Sequence, residues 1–323
     1  MADTRNTRHL VDPEVAPVIE AMPSFEFDRA TLDLVRAGSA ERFNALGDPP
    51  VAADIRTIDG PGGPIEIHWY DPAPGTTGRP ALLHIHGGGM ILGSAKDMSW
   101  GPSGMAAALG IPVASVDYRL APEAPFPGPQ DDCLTGLAWL ADNAATLGVD
   151  PARIAIIGES AGGGLAAAVA LMARDAIRNL GQGPALAAQV LIYPMLDHRT
   201  GGVECRHNNR TTGEFVWTRT SNQFGWECLR GDYTPDDARK GWYSPSLADD
   251  LAGLPPTLLL TGSLDLFFDE DLEYARRLVD AGVPVELHSY PGAIHAFNMM
   301  AEAAIAKAFN RDLLGGIARL LKL

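Results

Sequence analysis

The chain has 323 residues, 46% of them hydrophobic and 20% charged. At roughly 150 residues per domain this allows about two domains, or one large α/β domain with an insertion, and it excludes a wholly disordered or fibrous protein. Forty Asp and Glu against 25 Lys and Arg leave a formal charge of −15, which phosphate backbones and anionic lipid repel, so nucleic acid is not an expected partner.

Behind Met1, Ala2, Asp3, Thr4 and Arg5 no apolar run follows a basic stretch, so no signal peptide is expected. Residues 1–50 read as acidic, helix-prone pieces broken by Pro13, Pro17, Pro23 and the Pro49-Pro50 pair. Ile55 to Ile58 and Ile65 to Tyr70 then alternate in strand fashion around a turn-rich Asp59 to Pro64. Short apolar runs follow at Ala81 to His86, Val113 to Asp117, Ile154 to Ile157, Gln189 to Tyr193, Thr257 to Leu260 and Val285 to Tyr290. Helical spacing marks Asp132 to Ala145, Ala161 to Arg178, Glu270 to Ala281 and Ala301 to Leu321. Near-continuous apolar strands separated by helices predict an α/β protein whose mostly parallel sheet is covered on both faces.

The stretch 197–245 breaks this rhythm. It is rich in Arg, Asn, Thr and Trp and has no clear buried strand, which marks an insertion. Joined by residues 1–50, it is expected to form a cap on a core made of 51–196 and 246–323. The longest apolar run, Leu165 to Ala173, is well short of the ~20 residues of a bilayer span, so no stable membrane insertion is expected. Cys133, Cys205 and Cys228 are odd in number and lack paired spacing. They fit reduced thiols and a cytoplasmic location rather than a disulfide framework or a zinc site.

The chemistry centres on Ile154 to Ile157 running into Gly158-Glu159-Ser160-Ala161-Gly162, with a small-residue helix behind it. This is G-x-S-x-G in its required setting of strand, sharp turn and helix, a strained turn that exposes a serine hydroxyl. Gly158 and Gly162 serve where strand and helix approach closely. The bland alternative is a glycine-rich turn with an incidental serine. Upstream, His86-Gly87-Gly88-Gly89 ends a strand and bares backbone N–H groups; with the N–H of Ala161 they would form an oxyanion hole. Its alternative is a flexible loop. His84 and His86 share a strand face in the manner of a metal pair, yet no further ligand cluster accompanies them, and no metal or cofactor is expected.

A serine hydroxyl needs a base, and the base an orienting acid. His295 lies in the loop after the last expected strand, where a side chain can reach across the sheet end, while His288 sits inside that strand and reads as structural. Asp265, after the Thr257 to Leu260 strand, is the preferred acid, and Asp197, after the Gln189 to Tyr193 strand, is its rival. Asp269, Glu270 and Asp271 read as first-turn helix residues favoured by the macrodipole. The order Ser160, Asp265, His295 is that of an α/β-hydrolase.

Four features together resemble the hormone-sensitive-lipase-like (bacterial family IV) carboxylesterases of the α/β-hydrolase superfamily. They are the His86 to Gly89 loop, the run Asp117-Tyr118-Arg119-Leu120-Ala121-Pro122-Glu123 with Pro125-Phe126-Pro127 and Asp132, the Gly158 to Gly163 elbow, and Asp265 with Asp269-Glu270. The resemblance covers about residues 65–300. It implies an α/β-hydrolase fold with a helical cap, oxyanion donors at Gly88, Gly89 and Ala161, and an architectural role for the 118–127 run. It further implies hydrolysis of short- to medium-chain acyl esters, small-molecule ester substrates and a homodimer through the last strand. Glu159 stands where many relatives have Asp, Met90 replaces the usual aromatic after the glycines, and Leu266 replaces a frequent Pro; none removes a catalytic group.

Two other functions share some of these features. A ligand-binding protein of the same fold, as in the plant gibberellin receptors, lacks the histidine that His295 supplies here. A nucleotide enzyme would need its glycines directly after the strand, but Gly162-Gly163-Gly164-Leu165-Ala166-Ala167 begins several residues beyond Ile157 and has no acidic residue about 20 positions on. Amidase, lactonase or peptidase activity would use the same machinery. Trp217, Phe224, Trp226, Trp242 and Tyr243 read as cap packing, with an acyl or alcohol pocket as the alternative.

Overall fold

A computed structural model describes residues 6–22, 27–44 and 47–323, with the side chains of 39–44 excepted. The first five residues, on which the signal-peptide expectation rests, and Pro23 lie outside the described residues.

In chain order the elements are α1 (Pro17–Ala21), α2 (Leu32–Asn44), β1 (Ala53–Gly60), β2 (Gly63–Tyr70), β3 (Arg79–Ile85), α3 (Trp100–Leu109), β4 (Val113–Asp117), α4 (Gly128–Asp142) and β5 (Val149–Glu159). They continue through α5 (Ala161–Leu180), β6 (Ala188–Ile192), α6 (Arg219–Arg230), α7 (Lys240–Tyr243), β7 (Thr257–Gly262), α8 (Phe268–Asp280), β8 (Val285–Tyr290) and α9 (Ala304–Leu321). One sheet of eight strands runs in the order β1-β2-β4-β3-β5-β6-β7-β8. Only the β1–β2 and β2–β4 pairs are antiparallel; β4 through β8 are parallel. The expected α/β class and mostly parallel sheet are what the chain forms.

Helices cover both faces because the central strands are apolar on both. All residues of β3, β6 and β7 are buried. Alternate residues of one strand fall in two separate clusters: Leu83 and Ile85 pack with Leu137, Leu165 and Val169, while Leu82 packs with Ala106, Phe309 and Ile317. Residues Ala161 to Ala173 of α5 are all buried, so the longest apolar run of the sequence is a core helix. Among the described residues no helix is long and apolar enough to cross a membrane.

Parallel order brings the loops at the strands' C-terminal ends to one edge of the sheet, where α/β proteins place their sites. Strand β3 pairs with β5 so that Ile85 stands opposite Gly158, which sets the 86–89 loop beside Ser160. Strand β7 pairs with β8 so that Gly262 stands opposite Tyr290, which sets the Asp265 and His295 loops side by side. Those two loops are tied by the Leu264 N–H to the Ala293 carbonyl (2.9 Å) and the Gly292 N–H to Ser263 Oγ (3.0 Å).

The 197–245 stretch carries α6 and α7 and, among the described residues, no strand. Thr218 caps α6, its side chain accepting the Ser221 N–H. The N-terminal residues reach two places. Thr7 donates its N–H and hydroxyl to Glu214 (2.7 and 2.6 Å), and the Phe27 ring lies 5.7 Å from Trp217. Val11, Val15 and Val18 instead pack in the core cluster that holds Ile294 and Phe297, and the Asp12 N–H bonds the Gly292 carbonyl (3.0 Å).

Candidate active site

Ser160 sits between β5 and α5 with φ +57° and ψ −121°, a conformation L-residues rarely adopt. Neighbouring backbone holds it there: its N–H bonds the Ile192 carbonyl (2.9 Å), and its carbonyl accepts from Gly164 and Met195 (3.0 and 2.9 Å). The elbow glycines are required by close approach. A Cβ on Gly158 would stand 2.2 Å from the Gly162 carbonyl oxygen, and one on Gly162 would stand 2.0 Å from that of Ile85. Gly162 therefore lets α5 begin directly against the end of β3. Gly162→Ala is expected to cost about 1–3 kcal/mol of overpacking, measured by urea denaturation, and to lower turnover further by parting the elbow from the glycine loop. Wild-type values for both would contradict this contact.

His295 lies across the strand ends from the elbow. Its Nε2 is 2.9 Å from Ser160 Oγ and its Nδ1 is 2.7 Å from Asp265 Oδ2. The other oxygen of Asp265 accepts the Phe267 N–H (3.0 Å), which fixes the carboxylate plane. Asp265 is wholly buried, and Ser160 and His295 are each 6% exposed. The imidazole is wedged edge-on between Tyr193, 4.8 Å between ring centres, and Phe267, at 5.4 Å. Burial pushes the Tyr193 hydroxyl well above its ordinary pKa, and it donates to Asn298 Oδ1 (2.9 Å).

The rival residues are engaged elsewhere. Both carboxylate oxygens of Asp197 bond the Arg199 guanidinium (2.8 and 2.6 Å). His288 bonds Glu286 (2.8 Å) and lies 3.7 Å from Asp312, on β8.

The 86–89 loop packs against the elbow. Gly88 has φ +112° and Gly89 φ +63°, and the Gly88 carbonyl accepts from Ile91 and Leu92 (3.1 and 2.9 Å). Met90 also has a positive φ of 64°. The 118–127 run clamps this loop from behind. Tyr118 donates its hydroxyl to the His86 carbonyl (2.9 Å) and stacks on the His86 ring at 4.2 Å, and the Ala121 N–H bonds the Met90 carbonyl (2.9 Å). Asp132, fully buried, holds Arg119 through its backbone N–H and guanidinium. Desolvation lowers the His86 pKa, the Gly87 carbonyl acting against it. That carbonyl accepts from His86 Nδ1 (2.8 Å). Trp217 covers the loop from the insertion: a Cβ on Gly89 would stand 2.1 Å from its Cη2. The indole N–H donates to Asn222 Oδ1 (3.2 Å).

Asp269, Glu270 and Asp271 lie in the first turn of α8, as the sequence suggests, but Glu270 and Asp271 point inward. They are 2% and 0% exposed. Glu270 accepts the Leu196 and Asp197 N–H groups (2.6 and 3.1 Å) and pairs with the Thr200 hydroxyl, so it ties α8 to the start of the insertion. Asp271 accepts the Thr261 hydroxyl (2.6 Å). Desolvation drives both well above the ordinary carboxylate range, aided by Asp197 for Glu270 and by Glu270 for Asp271. The ring nitrogens of His84 bond Ser115 Oγ (2.8 Å) and Glu159 Oε2 (3.0 Å). Among the described residues no three His, Cys, Asp or Glu side chains gather as a metal site.

A hydroxyl, an imidazole and a carboxylate in one hydrogen-bonded row, beside a glycine loop and a helix start, is an arrangement suited to acyl transfer. A family profile described as alpha/beta hydrolase fold matches residues 82–299. Esterase LipI of Mycobacterium tuberculosis is 31% identical over 322 residues, 96% of each chain. The ethyl acetate hydrolase of Pseudomonas putida is 32% identical over 284 residues, 87% of this chain and 83% of its own. Among solved structures, a bacterial heroin esterase matches with a TM-score of 0.87 at 37% identity, covering 98% of this chain and 99% of that one. The chain belongs to this family. It is a carboxylic-ester hydrolase of the hormone-sensitive-lipase-like branch of the α/β-hydrolases. The heroin esterase structure aligns with nearly the whole length of the esterase.

Proposed function

We propose that the esterase works through an acyl-enzyme on Ser160, with His295 as general base and acid and Asp265 as the orienting carboxylate. The observation that carries this is the row Asp265 Oδ2, His295, Ser160 Oγ at 2.7 and 2.9 Å. His295 takes the hydroxyl proton as Ser160 attacks the ester carbonyl. The N–H groups of Gly88, Gly89 and Ala161 receive the oxyanion, and the alcohol leaves with the proton from His295. Water activated by the same imidazole then releases the acid. Asp265 holds the proton on Nδ1 and stabilises the imidazolium.

The substrates we assign are short- to medium-chain acyl esters. Support comes from the near-complete burial of Ser160 and His295, from Trp217 lying on Gly89, and from a relative named for ethyl acetate. Residues 1–50 and 197–245 serve as the cap over a core of 51–196 and 246–323, with Thr7–Glu214 and Phe27–Trp217 as their junction. The edge position of β8, with Leu287 42% exposed, supports a homodimer through that strand. Three free thiols accord with a cytoplasmic setting, and the charge of −15 argues against nucleic acid as a partner.

Hydrolysis of p-nitrophenyl esters from acetyl to long-chain acyl, with Ser160→Ala alongside, tests the assignment. The expected result is a maximum among short to medium chains that vanishes in the variant. A maximum at long chains would overturn the substrate range, and activity persisting in Ser160→Ala would overturn the nucleophile.

A further inference from the structure

We infer that Glu159 is a positioning residue for the oxyanion loop, acting through the Gly87 N–H and anchored by His84. The inference rests on the proposed oxyanion role of Gly88 and Gly89. Three adjacent strands carry the chain of contacts. Ser115 on β4 and Ile157 on β5 are the register partners of His84 on β3. The His84 ring therefore reaches Ser115 Oγ with Nδ1 (2.8 Å) and Glu159 Oε2 with Nε2 (3.0 Å). The remaining oxygen, Glu159 Oε1, accepts the Gly87 N–H at 3.2 Å. His84 is 1% exposed as a side chain, and Glu159 24%.

The geometry gives this carboxylate a task that packing alone would not need. Glu159 immediately precedes Ser160, and Gly87 immediately precedes the two proposed donors. A Cβ on Gly87 would stand 3.0 Å from the Glu159 carbonyl oxygen and 3.4 Å from Ser160 Cβ. One side chain thus links the nucleophile's own backbone to the start of the glycine loop. Three successive glycines have the widest backbone freedom of any tripeptide, and oxyanion donors act only when held in place before charge develops. Clamping the first N–H restricts where the next two can point. A partly buried carboxylate beside an oxyanion site opposes the developing charge, so its retention calls for a compensating service. Burial raises the Glu159 pKa, but the pull and hydrogen bond of His84, with His86 and the Gly87 N–H, bring it below the ordinary glutamate value. It stays an acceptor at neutral pH.

The test compares Glu159→Ala, Glu159→Gln and His84→Leu with the wild type, on p-nitrophenyl butyrate and on a trifluoromethyl ketone that forms a tetrahedral adduct. Rates are expressed per site titrated with diethyl p-nitrophenyl phosphate, so unfolded protein does not enter. Glu159→Ala is expected to lose about 10- to 100-fold in kcat, less than outright removal of a donor, with KM moving less than about threefold. Ketone affinity should fall by the same factor, since the adduct reports transition-state stabilisation. Glu159→Gln, whose amide oxygen can accept the Gly87 N–H, should recover at least half of that loss on a logarithmic scale. His84→Leu should give a smaller loss, again in kcat, and stands in if Glu159→Ala yields no titratable sites.

Unchanged kcat and ketone affinity in Glu159→Ala and His84→Leu would overturn the inference, as would a loss confined to KM or a Gln variant no better than Ala. Ser160→Ala run in parallel separates the two levels. Activity surviving there sinks the site assignment itself, whereas an inactive Ser160→Ala beside an unimpaired Glu159→Ala sinks only the role of Glu159.

Discussion

Ser160→Ala is expected to lower kcat by ~10⁶ while leaving KM within a few-fold, and His295→Ala to do nearly the same. The size follows from how the two side chains depend on each other. Without the imidazole 2.9 Å away, the hydroxyl keeps its proton and is a weak nucleophile; without the hydroxyl, the imidazole has nothing to activate but water. Ser160→Ala/His295→Ala together should therefore cost little more than either alone, because one device is being removed twice. Residual catalysis would come from the Gly88, Gly89 and Ala161 N–H groups, which both variants retain. The elbow should survive the loss of the hydroxyl: the strained Ser160 backbone is held by the Ile192, Gly164 and Met195 hydrogen bonds, none of which uses Oγ. Steady-state kinetics together with a thermal melt checks this; a variant with wild-type melting and wild-type turnover would contradict it.

Asp265→Asn is the second large effect, with a loss of ~10⁴ in kcat expected by analogy with serine proteases. Asp265 Oδ1 accepts the Phe267 N–H at 3.0 Å, and an asparagine would keep its oxygen there. Its NH₂ would then face His295 Nδ1, which must become the acceptor. The ring proton moves to Nε2, where it faces Ser160 and blocks proton uptake. Folding should be nearly unaffected because the shape is unchanged. Asp197→Asn should behave in the opposite way. It leaves the largely buried Arg199, whose side chain is 14% exposed, short of its counter-charge, a defect that costs about 3–5 kcal/mol in buried pairs. Turnover of the folded fraction should be retained. If Asp197→Asn abolishes turnover while Asp265→Asn leaves it intact, the acid has been assigned to the wrong strand end.

Much of this architecture is legible in the chain because its causes are local. Val113–Asp117 and Val285–Tyr290 have in the structure the bounds their apolar runs indicate. The elbow is legible because strand, G-x-S-x-G and small-residue helix are contiguous, and the structure brings His295 and Asp265 to Ser160 as their positions after β8 and β7 suggest. Helix α3 is hidden by Gly101, Pro102 and Gly104, residues that weaken a helical pattern although α3 packs Pro102, Ser103 and Ala106 inward. Helix α6 is hidden because it buries Ser221 and Asn222 along with Trp226 and Leu229, so polarity does not mark its outer face.

Partners distant in sequence are the least legible. Nothing beside Glu270 announces that Thr200, 70 residues away, will receive it, and three acids in a helix's first turn read more simply as macrodipole residues. A signal does exist in hindsight: the buried face of α8 includes Tyr274, Ala275 and Leu278, and Glu270 and Asp271 precede Tyr274 by four and three residues on that face. His84 and Glu159 are 75 residues apart, and only the β3–β5 register makes them neighbours. The placement of Trp217 on Gly89 depends on the path of an insertion without strands to fix it.

The most direct test of the esterase mechanism is covalent. Diethyl p-nitrophenyl phosphate should phosphorylate the protein once per chain, releasing one p-nitrophenolate, with mass spectrometry placing the adduct on the peptide that contains Ser160. Activity should fall in proportion to labelling, and Ser160→Ala should remain unlabelled. Full inactivation with the adduct on another residue, or esterase activity persisting after Ser160 is fully labelled, would contradict a mechanism through this serine.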